Sequence, residues 1–172
     1  MKKFILSLFA AFFCMSLSAQ VSLSDLVNAD TESAIAKYLK AKAVSTGEAG
    51  VDNFCAAVRT AATASQQSNV SIKALYEKLS AGGAGTEEAN SVLEGLKTQV
   101  TSLVAAGKNA PAALAAAKNI KNPMKAAQAV KAVTSATSLL NTLTTQTQSQ
   151  VKGMTQVVAL LKEGKSIKSV SP

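Results

Sequence analysis

Hydrophobic residues recur every three to four positions along most of the chain, and no stretch alternates strictly between hydrophobic and polar residues. Such spacing puts side chains on one face of an α-helix, whereas strict alternation is typical of a half-buried strand. The clearest example follows Glu48, with hydrophobic positions at Val51, Phe54, Cys55, Val58 and Ala62. The pattern predicts an all-α protein, an irregular or elongated helical bundle of about five to six helices.

Caps and glycines predict the ends of the first helices. A short lead at residues 24–28 precedes a helix that Asp30 can cap, because a short polar side chain can accept a hydrogen bond from the first backbone N–H groups. Thr46 and the following glycine interrupt the pattern. We expect one helix from about Glu48 and a separate one from about Val70, ending at residues 82–83, two glycines that adopt positive φ easily.

The next two helices have acidic and proline markers at their starts. Thr86 can cap the fourth helix, with Glu87 and Glu88 in the first turn, where the helix dipole favours negative charge. This helix ends at Gly107. Pro111 then lies in the first turn of a fifth, alanine-rich helix.

The sixth helix begins at Asn122 and Pro123, a cap followed by proline at the first helical position. Its hydrophobic positions could continue one helix of about 40 residues: Met124, Ala127, Val130, Val133, Leu140, Leu143, Val151, Met154, Val158 and Leu161. Residues 141–150 are rich in Thr, Gln and Ser, so they form either a polar-faced stretch of this helix or a break. We favour continuity.

The first residues have the features of an export signal. Two lysines precede an apolar run at residues 4–15, and residues 16–19 are of the type that signal peptidases cleave. The run is shorter than the roughly 20 residues of a membrane span. We therefore predict a cleaved secretory signal peptide at residues 1–19 and a protein exported to the periplasm or secreted.

The two cysteines limit the chemistry of the mature chain. A bacterial lipid-anchor site has a small residue before its cysteine, but Phe13 precedes Cys14, so we expect no lipid anchor. Signal cleavage would leave Cys55 as the only thiol, which excludes an intramolecular disulfide. The chain has no histidine, the commonest general base and a common zinc ligand, so no metal or cofactor is expected.

The remaining residues fit a single α-helical domain at 20–163 with a flexible basic tail at 164–172. Residues 20–100 carry seven basic and nine acidic side chains, whereas residues 101–172 carry nine basic side chains and only Glu163. Residues 77–172 also contain no aromatic residue, which favours an extended helical arm in that half.

The lysines of this half are either solvated helix faces or contacts with an anionic surface. The candidate contacts are Lys118, Lys121, Lys125, Lys131, Lys162, Lys165 and Lys168. Nucleic acid is not expected, because base stacking needs aromatic side chains and duplex reading favours arginine. Nucleotide binding is not expected either: ALLKEGKS at residues 159–166 resembles a phosphate loop, but a helix rather than a strand precedes it.

These observations predict an exported, non-enzymatic helical protein that acts as a structural or interaction module. Its partner would be an unknown protein or a second copy of itself. The candidate packing positions are Val92, Leu93, Leu96, Val100, Leu140, Leu143, Met154, Val158 and Leu161. The alternative is an amphipathic protein that binds an anionic membrane surface through its basic C-terminal half.

Overall fold

The computed structural model describes residues 21–83 and 85–164, and the regular secondary structure of these residues is entirely helical. The fold is an all-α helical bundle, as predicted. Its helices are α1 (Leu23–Leu26), α2 (Ala29–Lys40), α3 (Ala49–Ser80), α4 (Thr86–Gly107), α5 (Ala110–Lys118) and α6 (Pro123–Lys162). The predicted signal peptide and nearly all of the predicted tail lie outside the described residues.

The long helix α6 organises the bundle. At about 1.5 Å per residue its 40 residues extend for roughly 60 Å, and it contacts all five other helices. Helix α3 runs parallel to it, while α4 returns antiparallel beside both, and α5 covers the part of α6 beyond the end of α4. The expected extended arm is therefore wrong, because the rear half packs closely through small side chains such as Ala113, Ala117 and Ala129.

Two hydrophobic cores follow one another along the bundle. The first joins the end of α2, the start of α3, the end of α4, α5 and the first half of α6. The second joins α1, the end of α3, the start of α4 and the last third of α6. A layer of buried polar side chains separates them: Ser65, Asn69, Gln99, Gln146, Thr147 and Gln150.

Hydrogen bonds within this polar layer explain why residues 141–150 stay helical. The side chain of Gln150 is 2% exposed, and its Nε2 donates to the Leu26 carbonyl at 2.9 Å and to Asn69 Oδ1 at 2.7 Å. Thr147 Oγ1 donates to the Leu143 carbonyl in the preceding turn. Because distant partners hold the Gln150 side chain and the preceding turn holds that of Thr147, low helix propensity does not break α6. The predicted continuity is confirmed.

The predicted division between helices from Glu48 and from Val70 is wrong, since α3 is one helix of 32 residues. The buried face does not stop after Ala62 but continues through Ser65 and Asn69 to Ile72 at helical spacing. Two polar residues occupy core positions there, so the hydrophobic pattern is interrupted while the helix is not.

Two predicted caps are displaced by one or two residues, and others are confirmed. Asn28, not Asp30, caps α2, with Oδ1 accepting from the Thr31 N–H at 3.0 Å. Gly85 occupies the cap position of α4, and Thr86 is its first helical residue. The confirmed markers are Pro111 in the first turn of α5, Asn122 and Pro123 at the start of α6, and Gly82 with φ of 73° after α3.

Candidate functional site

Three of the candidate lysines surround the turn between α5 and α6. Lys118 ends α5, Lys121 lies in the turn and Lys125 lies in the first turn of α6. The turn is short because Asn122 Oδ1 accepts from the N–H groups of residues 124 and 125, at 3.0 and 3.1 Å, and starts the next helix at once. We call residues 118–127 the basic tip.

The basic tip lies at one end of the bundle. A Cβ atom built on Gly50, near the start of α3, would be 3.3 Å from the Cβ of Ala116, so α3 begins level with the last turn of α5. All three tip lysines are exposed, and none has a carboxylate within ion-pair distance among the described residues.

The other candidate lysines are not gathered at this tip. Lys131 is exposed on α6 about 9 Å further along the axis than Lys125, and Lys162 is exposed at the opposite end of the same helix, roughly 55 Å away. Lys165 and Lys168 lie outside the described residues. The five candidate lysines that the structure describes therefore do not form one patch, because the length of α6 separates Lys162 from the other four.

The fold nevertheless separates charge along the bundle. We define the basic half as residues 33–67 and 100–147, which surround the first core, and the acidic half as the described parts of residues 21–32, 69–98 and 148–164, which surround the second. The basic half carries nine cationic side chains against Glu48 and Asp52, a net charge of +7: Lys37, Lys40, Lys42, Arg59, Lys108, Lys118, Lys121, Lys125 and Lys131.

The acidic half has a net charge of −3, and it contains three ion pairs, Lys73 with Glu32, Lys78 with Glu88 and Lys97 with Glu94. Lys73 contacts Glu32 at 2.7 Å, and Lys78 contacts Glu88 at 2.8 Å. Side-chain hydrogen bonding to Lys78 and its positive charge hold the pKa of Glu88 below its ordinary value. Cations are thus matched by acids in this half, whereas the basic half has an excess of cations.

Arg59 has a role that the hydrophobic pattern does not reveal. Its Nη1 donates to the carbonyls of Tyr38 and Ala41, at 3.2 and 2.9 Å, and its Nη2 donates to the carbonyl of Leu39 at 2.6 Å. The guanidinium thus satisfies the carbonyls at the end of α2, a use to which its planar fork is suited. It also lies over the Tyr38 ring, 5.8 Å from its centroid.

A small cavity of about 140 Å³ lies beside this arginine, with Tyr38, Lys42, Cys55 and Ala132 in its lining. Typical small-molecule sites are larger, about 300–1,000 Å³. Burial raises the pKa of the Cys55 thiol, and the negative charge of Asp52 raises it further. A thiol in this environment stays protonated at neutral pH and is a weak nucleophile. Cys55 is buried, in agreement with its place among the hydrophobic positions that follow Glu48.

The candidate packing positions are mostly used inside the bundle. Six are buried in its cores: Leu93, Leu96, Leu140, Leu143, Met154 and Val158. Val92, Val100 and Leu161 are partly exposed. Conversely, Met124 was expected on the hydrophobic face of the sixth helix but is 76% exposed at the basic tip. It lies in the first turn, beyond the region that the other helices cover.

The described helices bear on three other kinds of feature: the sequence that resembles a phosphate loop, metal sites and membrane-spanning helices. Helix α6 continues to Lys162, and Gly164 with φ of 67° follows it, so the start of ALLKEGKS is a helix end; Lys165 and Ser166 lie outside the described residues. Among residues 21–83 and 85–164, no three His, Cys, Asp or Glu side chains are close enough to hold a metal ion. None of the helices described there is sufficiently long and apolar to cross a membrane.

Comparison with known proteins does not indicate a family or a function for this chain. No protein-family model, curated protein or solved structure matches this chain. The fold defines the class of protein, an all-α helical bundle.

Proposed function

We propose that this protein is an exported, non-enzymatic helical module that binds an anionic partner through its basic half. The excess of cations there supports the proposal, since a surface of one sign attracts ligands of the opposite sign and raises their association rate. The sequence of residues 1–19 supports export, because it has the features of a secretory signal peptide. An exported protein would meet its partner in the periplasm or outside the cell.

The position of Lys125 is the observation that carries the proposal. A helix N-terminus has partial positive charge, so a lysine there is destabilising, typically by about 0.3–1 kcal/mol. The first turn of α6 contains Lys125 and no acidic residue, whereas the first turn of α4 contains Glu87 and Glu88. Helix stability explains the acidic residues in the first turn of α4, but it disfavours a lysine in the first turn of α6. Binding of an anion would explain why Lys125 lies there.

The position of Lys118 is weaker support for anion binding than that of Lys125. It lies in the last turn of α5, where the helix dipole favours a cation. Lys37 and Lys40 occupy the equivalent positions in α2. These three lysines contribute to the charge of the basic half, but helix stability is enough to explain them.

Charge reversal with a matched control tests the proposal. Lys121→Glu with Lys125→Glu changes the net charge by the same amount as Lys97→Glu with Lys162→Glu, which are exposed lysines of the acidic half. Each lysine near an anionic surface is worth about 1 kcal/mol, so the first pair should weaken binding at least about tenfold. Binding is measured as the salt concentration that elutes the exported protein from a sulfated polysaccharide column.

The control pair should shift elution much less, and circular dichroism melting of each variant checks that it folds. Equal shifts for the two pairs would mean that binding follows net charge and not the basic half. Failure of the unmodified protein to bind either this column or anionic vesicles at low salt would contradict the proposal outright.

Self-association is a second candidate function, favoured by the opposite net charges of the two halves. A head-to-tail contact could place the acidic half of one copy against the basic half of another. Such a contact would weaken with salt. Sedimentation at low and physiological salt distinguishes it, since a monomer under both conditions would exclude it.

A further inference from the structure

The basic tip combines its cations with an exposed apolar side chain. Met124 is 76% exposed, the largest value among the exposed large hydrophobic residues of the described chain; the others are Val44, Val70 and Val104. Lys121 and Lys125 lie within three residues of it on the turn and first helical turn. A flexible, unbranched thioether side chain is therefore exposed at this end of the bundle, with Lys121 three residues before it and Lys125 directly after it.

We propose that the basic tip docks on a bilayer that contains anionic lipid, with Met124 inserted below the head groups. This inference rests on the proposed function and names its partner. The lysines match the negative charge of the head groups, which attract basic residues within about a Debye length. The apolar methionine side chain leaves water and contacts the acyl chains of the lipid.

The apolar side chain favours a bilayer over a soluble polyanion. A sulfated or phosphorylated polymer would pair with the ammonium groups but would leave Met124 in water. In a bilayer the lysine stems can lie along the interface while their charges stay with the head groups, and the thioether enters the acyl boundary. A tip of this kind needs no membrane-spanning helix.

Two carboxylates of the basic half share this end of the bundle with the three tip lysines. Asp52, at the same end of the bundle, accepts from the Thr46 N–H and hydroxyl, at 2.8 and 2.9 Å, and from the Gly47 N–H at 3.1 Å. Burial opposes ionisation of Asp52, but these hydrogen bonds together outweigh it and lower its pKa, so the carboxylate keeps its negative charge. Glu48 is the other carboxylate of the basic half, and it lies at the start of α3, level with the last turn of α5.

Tryptophan substitution tests insertion directly, because the chain contains no tryptophan. Met124→Trp places a single fluorophore at the tip, and Val70→Trp places one on the exposed face of α3, away from it. With vesicles of phosphatidylcholine and phosphatidylglycerol at about 0.15 M salt, emission from Met124→Trp should shift to the blue and be quenched by brominated acyl chains. Emission from Val70→Trp should stay that of a water-exposed indole.

Flotation with the same vesicles measures the contribution of the methionine. Met124→Ser should lower the partition coefficient about fivefold to tenfold, because it removes the inserted apolar area. Val70→Ser should leave the partition coefficient unchanged. Vesicles of phosphatidylcholine alone should bind little of any variant.

The outcomes separate this inference from the proposed function. Vesicle binding that Met124→Ser does not weaken, with no blue shift of Met124→Trp, would mean contact with head-group charge alone and would overturn insertion. Binding to the sulfated column but not to anionic vesicles would make the partner a soluble polyanion and overturn the bilayer. Binding to neither would overturn the proposed function as well.

Discussion

At the scale of single residues, Tyr76 links the beginning of the described chain to the core. Its ring is buried at the end of α3, and its hydroxyl donates to the Val21 carbonyl at 3.1 Å. Burial raises the pKa of Tyr76 to about 12, and the negative charge of Asp25 adds to the effect. The phenol is thus held in its neutral form, and ionisation would oppose folding.

This pKa predicts a loss of stability in alkali. Below pH 10, the ordinary pKa of tyrosine, the folded and unfolded states both keep the proton, and the contribution of Tyr76 is fully present. Between pH 10 and about 12 the unfolded state loses its proton first, so the free energy of unfolding falls as pH rises, by on the order of 2 kcal/mol. Urea unfolding across this range measures the fall.

Tyr76→Phe is the control, since it keeps the ring and removes the titrating hydroxyl. Its free energy of unfolding should fall less steeply above pH 10 than that of the unmodified protein. Some fall should remain, because burial also raises the pKa of Tyr38 to about 12, helped by Cys55 and opposed by Arg59. Identical slopes for the two proteins would contradict the assigned role of Tyr76.

At the scale of helices, α1 packs so closely on α6 that only glycine fits at the contact. A Cβ atom built on Gly153 would overlap Cδ2 of Leu26 and lie 3.4 Å from Cγ1 of Val21. Leu26 is fully buried, so its side chain has little room to move. Gly95 in α4 is a useful contrast, because a Cβ there would have no neighbour within 4 Å.

The two glycines should therefore respond oppositely to the same substitution. Gly95→Ala should raise the free energy of unfolding by about 0.5–1 kcal/mol, because alanine loses less backbone entropy in a helix. At Gly153 the same gain is outweighed by overpacking, which typically costs about 1–3 kcal/mol, so Gly153→Ala should lower the free energy of unfolding. Urea titrations of both variants provide the measurement, and equal stabilisation would show that α1 does not pack tightly on α6.

Sequence pattern predicts helices well where their ends have a local chemical cause. Asn122 and Pro123 mark the start of α6, and Gly82 ends α3, because capping and positive φ depend on adjacent residues alone. The interior of α3 was misjudged because Ser65 and Asn69 are buried by distant partners. The hydrogen bond from Gln150 to Asn69 joins residues 81 positions apart, which no local pattern reveals.

At the scale of the whole molecule, folding redistributes the charge that the sequence shows. The linear chain reads as a slightly acidic front followed by a basic rear. Because α6 spans both cores, it carries Lys162 into the acidic half, while the end of α2 brings Lys37 and Lys40 into the basic half. The tip lysines were identified from the sequence, but their separation from Lys162 and the exposure of Met124 required the packing of the helices.

Hydrogen exchange in the presence and absence of anionic ligand is the measurement that most directly tests whether the basic half is the binding surface. Peptides covering residues 118–131 should exchange more slowly when the protein is bound to anionic vesicles or to sulfated polysaccharide. Peptides covering residues 86–98 should be unaffected. Slowing confined to the acidic half, or binding with no slowing near the tip, would contradict the account.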